Sequence, residues 1–123
     1  MVGAHALFDT NILIDFTLGI PAARKEMARY RNRAISIITW MEVMAGVDST
    51  QEAAARAFLA TFTVHAVTPE ISEQAVLFRK KLRIKLPDAI ILATAEIEDL
   101  LLITRNTKDF PPRLPRIRVP YKI

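Results

Sequence analysis

Four short apolar runs, HALF (5–8), RAISII (33–38), TVHAV (63–67) and LLLIT (100–104), are set apart by segments with helical signals. Strands that alternate with helices pair in parallel through right-handed crossovers, so this spacing predicts an α/β sandwich rather than a meander or a bundle. DTNILIDFTLG reads as a helix with Asp9, Thr10 or Asn11 as its N-cap and an end near Gly19. Pro21 opens a second helix through Tyr30. TWMEVMAG is a helix stopped at Gly46, and STQEAAARAFLATF a longer one, with Ser49 and Glu52 as a capping box. TPEISEQAVLFRKKLRI and LPDAIILATAEIED complete the helices, and IRVPYKI adds a last edge strand.

A chain of 123 residues that is 51% hydrophobic suits one compact domain, residues 1–123, with a sizeable core. The absence of Cys excludes a disulfide scaffold, a thiolate metal site and a cysteine nucleophile, and suits a reducing compartment such as the cytoplasm. MVGAHALFDTN lacks the pattern of a secretory signal, and no apolar run reaches the roughly 20 residues that span a bilayer. No membrane association is expected.

The net charge is +4, and its distribution is uneven. Residues 24–33 carry five basic groups and one acid, residues 79–85 carry five and none, and four more lie between Arg113 and Lys122. Such clusters attract polyanions, and each also fits a solvated helix face.

Three apolar segments are each interrupted by one carboxylate: Asp9 at the end of the first strand, Glu42 in a helix and Asp88 at the start of another. Asp9 also fits an N-cap and Asp88 a first-turn acid favoured by the helix dipole, whereas Glu42 fits no cap. In a parallel sheet, strand ends and the first turns of the following helices share one edge, where ligands bind. Carboxylates gathered there repel one another unless a divalent cation compensates them. His5 and His65 both fall in strands, so the donors are oxygen, which favours Mg²⁺ or Mn²⁺ over Zn²⁺. A hard-cation site beside basic clusters points to phosphate-ester chemistry on nucleic acid.

FDTNILID, SIITWMEVMAG, KLPDAIILATA and LLITRNTKDF resemble, in order and spacing, the four signature stretches of PIN-domain ribonucleases, especially the short VapC-like toxins of type II toxin–antitoxin pairs. The resemblance implies a PIN-like three-layer α/β/α sandwich with a four- or five-stranded, mainly parallel sheet. It further implies Mg²⁺-dependent endonuclease activity on RNA, with Mn²⁺ able to substitute, a VapB-like antitoxin partner, and a homodimer.

Carried over by position, Asp9, Glu42 and Asp88 match the acids that the family sets around its metal. The fourth place departs: many relatives have Asp directly after TR, where this chain has Asn106, with Asp109 three residues on. Asn106 offers a neutral oxygen, and Asp109 is the alternative. Thr10, Asn11 and Thr39 are expected to hydrogen-bond the site, although each also suits a turn or cap. Asp15 is expected on the surface. Arg105 is expected to hold a backbone phosphate, and segments 24–33 and 79–85, with Arg79, Lys80, Arg83 and Lys85, to bind flanking RNA.

Two other readings are a non-catalytic PIN-like binding module, which the amide at position 106 favours, and an aspartyl-phosphate enzyme or receiver built on Asp9. The dehalogenase-like pattern wants an Asp two residues after Asp9, where Asn11 stands, and a receiver wants an acidic pair near the first strand, which is absent.

Overall fold

The computed structural model describes residues 5–122. The readings made for residues 1–4 and for Ile123 lie outside them. Eleven elements follow in chain order: β1 (His5–Phe8), α1 (Thr10–Thr17), α2 (Pro21–Met27), β2 (Asn32–Ser36), α3 (Ile37–Ala45), α4 (Glu52–Leu59), β3 (Thr63–His65), α5 (Pro69–Leu82), α6 (Leu86–Ile97), β4 (Leu101–Ile103) and β5 (Ile117–Arg118). The five strands form one parallel sheet in the order β3-β2-β1-β4-β5. Leu7 lies opposite Ala34 on one side and Leu102 on the other, which makes β1 the central strand.

Side chains alternate across the sheet, and the inner strands β1, β2 and β4 bury apolar residues on both faces. Leu7, Ala34 and Leu102 belong to a core with Ile71 and Ala75 of α5 and Ile91 and Leu92 of α6. Ala6, Phe8, Ile35 and Ile103 enter the opposite core with Ile12 and Leu13 of α1, Met27 of α2, Val43 of α3 and Leu59 of α4. A period of two that places every second residue under a different helix layer is the mark of a strand buried on both sides. The result is the expected three-layer α/β/α arrangement.

Local chemistry sets the boundaries. Asp9 is the N-cap of α1, its side chain accepting from the Thr10 N–H at 2.8 Å. Ser36 ends β2 early, because its hydroxyl accepts from the Ile38 N–H and turns Ile37 and Ile38 into α3. Arg83 takes a left-handed φ of 58° and stops α5 there. α2 ends at Met27 rather than Tyr30, whose ring is buried and whose phenol donates to Glu26. The Ser49–Glu52 capping box does not form. Asp48 Oδ1 instead accepts from the N–H groups of Thr50 and Gln51, and α4 begins at Glu52 without a side-chain cap. Among the described residues no helix is long and apolar enough to cross a membrane.

Candidate active site

In the strand order, β2 and β3 lie to one side of β1 and β4 and β5 to the other, so the crevice at the carboxyl ends of β1 and β4 is the topological switch point. Asp9 follows β1 there and is 4% exposed. Its peptide N–H donates to Ile103 O at 2.9 Å, which ties the position to β4. Its Oδ2 accepts from the Thr104 hydroxyl at 2.8 Å and from the Asn11 amide at 3.1 Å. Burial pushes the Asp9 carboxyl above its ordinary range, against the pull of these bonds.

Glu42 comes from α3, where it is exposed at the rim. The Thr10 hydroxyl donates to its Oε1 at 2.5 Å and lies 3.1 Å from the hydroxyl of Thr39, which is fully buried. Asp88 stands in the first turn of α6. Desolvation, followed by the charges of Asp9, Asp109 and Glu42, raises its pKa to about 6, with Lys85 opposing. Like charges that disturb one another in this way face a shared space. Asp9, Thr10, Asn11, Ile14, Glu42, Asp88 and Asn106 line one open cleft of about 390 Å³.

The loop after β4 shapes the fourth side. The Asn106 N–H donates to Thr104 Oγ1 at 3.0 Å, and its amide donates to Asp109 Oδ2 at 2.9 Å. The Asp109 N–H returns a bond to Asn106 Oδ1 at 3.2 Å. Asn106 therefore lines the cleft while both ends of its amide are engaged by Asp109, whose charge still reaches Asp88. Among the described residues, no three acidic or imidazole groups already stand at the spacing of a metal cage. The carboxylates surround the cleft without closing on its centre.

One expectation is corrected. Asp15 is not a surface residue: it is 2% exposed, and its oxygens accept from Arg105 Nε at 2.6 Å, Arg105 Nη2 at 3.1 Å and the Tyr121 hydroxyl at 2.9 Å. The hydrogen bonds from Arg105 hold the Asp15 carboxyl below the usual carboxylate range. Arg105, expected to hold phosphate, points its planar fork at Asp15 because that geometry matches a carboxylate bidentately.

The basic clusters also divide. Arg79, Lys80, Arg83 and Lys85 are exposed, and none is joined to an acid among the described residues. In segment 24–33, by contrast, Arg24 lies 4.6 Å over the Phe16 ring, Arg29 is 3.7 Å from Glu26, and Arg33 donates to Tyr30 O. Arg118 pairs with buried Glu26 at 2.7 Å, and Arg116 binds Asp99 and the carbonyls of Ala95 and Leu100. Arg24, Arg116 and Arg118 thus hold elements together, whereas Arg29 and Arg33 bind partners three residues away. Thr104, fully buried and bonded to Asp9, was missed by sequence reasoning; its only signal is a hydroxyl placed directly after a buried strand.

The PIN domain family matches residues 6–112. The chain belongs to that family. Ribonuclease VapC19 of Mycobacterium tuberculosis is 32% identical over 94% of this chain and 98% of its own length, and ribonuclease VapC10 of the same species is 32% identical over 85% of each. Among solved structures, a chain of a toxin–antitoxin complex from Klebsiella pneumoniae superposes with a TM-score of 0.91, at 48% identity, over 96% of this PIN domain and 99% of that chain. A DNA-bound VapBC from Salmonella typhimurium, at 22% identity and a TM-score of 0.72, shares the fold. The sequence motifs and the parallel sheet thus agree on one family.

Proposed function

We propose that this chain is a VapC-type endoribonuclease toxin, a single PIN domain spanning 1–123 that works in the cytoplasm. It hydrolyses RNA phosphodiesters at the Asp9–Glu42–Asp88 cleft and is held in check by a VapB-like antitoxin. The observation that carries this reading is the convergence, at the switch point of a parallel sheet, of Asp9, Glu42 and Asp88 on one cleft, where burial and the neighbouring acids raise the carboxyls of Asp9 and Asp88. Relatives named ribonucleases and a 48% identical chain of a toxin–antitoxin complex support it. A homodimer belongs to the same reading.

The donor set suits a hard divalent cation: carboxylates and an amide oxygen line the cleft, without His, Lys or Cys. Asp9, Glu42 and Asp88 would hold Mg²⁺, or Mn²⁺ in its place, with Asn106 or Asp109 as the fourth donor. When bound, such a cation supplies Lewis acidity to the phosphate and eases deprotonation of a water. The protein supplies orientation. Thr104, Asn11 and the Thr10 N–H hold Asp9, and the Thr10 hydroxyl, beside Thr39, holds Glu42. Exposed Arg79, Lys80, Arg83 and Lys85 suit the RNA backbone, and hydrolysis that expels the 3′-oxygen leaves a 5′-phosphate.

The test is cleavage of single-stranded and looped RNA by purified protein with Mg²⁺, Mn²⁺ or excess EDTA. Cleavage that stops in chelator and falls by orders of magnitude in Asp9→Asn and Asp88→Asn is expected; full activity in EDTA would sink the mechanism. The amide at 106 and the lack, among the described residues, of a closed three-acid cage favour a second reading, a PIN-like module that binds without cutting. RNA binding with no cleavage under any divalent cation would select it.

A further inference from the structure

Asp15 lies outside the acidic cleft, yet it is a buried carboxylate with three donors directed at it. Burying an ion pair brings little stability compared with an apolar pair of similar volume, so its presence suits a demand for position. Arg105 sits between two residues that act on the cleft. On one side, Thr104 donates to Asp9 Oδ2 and accepts from the Asn106 N–H. On the other, Asn106 lines the cleft and holds Asp109. The Arg105 peptide N–H itself donates to Asn11 Oδ1 at 3.4 Å, and Asn11 passes a bond on to Asp9.

Anchoring the Arg105 side chain therefore fixes the peptide that orients Asn11. It also keeps a guanidinium away from Asp9, whose charge already reaches Arg105. Released into the cleft, that cation would compete with a metal ion for the same carboxylates. Tyr121 brings the segment after β5 into the same clamp.

We propose that Asp15, acting through Arg105 and backed by Tyr121, is a positioning residue that sets the affinity of the acidic cleft for its divalent cation. This rests on reading the cleft as the metal site of a nuclease. Asp15 touches neither substrate nor metal; it holds the residue that holds the site.

The experiment uses the full chain and three variants, Asp15→Asn, Tyr121→Phe and the double variant Asp15→Asn with Arg105→Gln. Mn²⁺ binding is read by electron paramagnetic resonance without RNA, alongside RNA cleavage against Mg²⁺ concentration and the melting temperature. Asp15→Asn should raise the Mn²⁺ Kd about tenfold, the size of effect seen when the partners of metal ligands are removed. Its lost cleavage should return at raised Mg²⁺, a change in metal requirement rather than in maximal rate. Tyr121→Phe should move Kd in the same direction by less, and the double variant should recover part of the affinity because the competing guanidinium is gone. A lowered melting temperature with wild-type Mn²⁺ affinity would reduce Asp15 to a packing role and overturn the proposal. If Asp15→Asn does not fold, Tyr121→Phe decides, and an unchanged Kd there overturns it. A wild type that neither binds Mn²⁺ nor cuts RNA removes the nuclease reading and the proposal together, whereas one that does both beside unaffected variants removes only the positioning role.

Discussion

The Thr104 hydroxyl donates to Asp9 Oδ2 across 2.8 Å and joins residues 95 apart in the chain. This bond continues the pairing of β1 with β4 onto the cleft side and helps to orient the Asp9 carboxylate. The same hydroxyl accepts from the Asn106 N–H, so one buried oxygen serves both the first acid and the fourth-position loop.

Thr104→Val keeps the shape and removes the oxygen. Asp9 Oδ2 then keeps only the Asn11 bond, and the Asn106 N–H loses its acceptor. Stability should fall by about 1–3 kcal/mol, the cost of leaving buried polar groups unpaired, as read from urea denaturation. Cleavage at low Mg²⁺ should fall more than cleavage at saturation, because the Asp9 carboxyl, already raised by burial, loses a bond that favours its charged form. Equal losses at all Mg²⁺ concentrations would show that Thr104 does not orient Asp9.

The raised pKa of Asp88 has a defined sign in chelator-treated protein. Its carboxyl binds a proton up to about pH 6 when folded, but only up to about 3.8 when unfolded. The folded state therefore holds the extra proton, and this group's contribution to stability falls as pH rises between those values. Asp88→Asn should raise the metal-free melting temperature above pH 6 and leave it nearly unchanged below pH 4. Calorimetry of both proteins in EDTA across that range checks it; a difference that grows towards acid would reverse the assignment.

Asn106 and Asp109 are distinguishable by the bonds they exchange. Asn106→Asp sets an oxygen where the amide donates to Asp109 at 2.9 Å, so two carboxylates meet and the loop should lose stability without metal and regain it with Mg²⁺. Asp109→Asn removes one of the charges that raise Asp88, and should lower the Asp88 pKa below about 6, shifting the acid limb of the cleavage profile towards lower pH. Titration of Asp88 by carbon-13 NMR in both variants is the check. No movement of Asp88 in Asp109→Asn would place that charge outside the site's electrostatics.

The basic residues should separate by role. Neutralising Arg79, Lys80, Arg83 and Lys85 together should weaken RNA binding and flatten its dependence on salt, since fewer counterions are released, with the melting temperature unchanged. Arg118→Gln should instead cost about 2 kcal/mol of stability, a value below that of a fully buried pair because Arg118 is one-third exposed, by leaving the buried Glu26 with weaker partners. Filter binding at several salt concentrations and thermal melts of the two proteins suffice. A salt slope that stays at the wild-type value would show that the 79–85 cluster is merely solvated.

The sequence by itself determined the elements and the acids. Ile- and Leu-rich runs with helices between them require a parallel sheet covered on both faces, and Asp9 caps α1 because its side-chain oxygen stands directly before the helix that begins there, whereas the cap at Ser36, inside an Ile-rich run, emerges only in the fold. Asp9, Glu42 and Asp88 were legible because a lone charge in an apolar run needs a reason. Those are local signals, carried within a turn or two of chain. What only the tertiary structure decided is which distant groups meet. Arg105 and Asp15 are 90 residues apart, Tyr121 and Asp15 are 106 apart, and Arg118 and Glu26 are 92 apart. Nothing in the sequence separates an arginine that will turn inward to a buried carboxylate from one that will wait for phosphate, because both depend on the same charge and the same fork of donors. The strand order settles the difference: it sets β4 beside β1, and so carries the TRN loop over α1, within reach of Asp15.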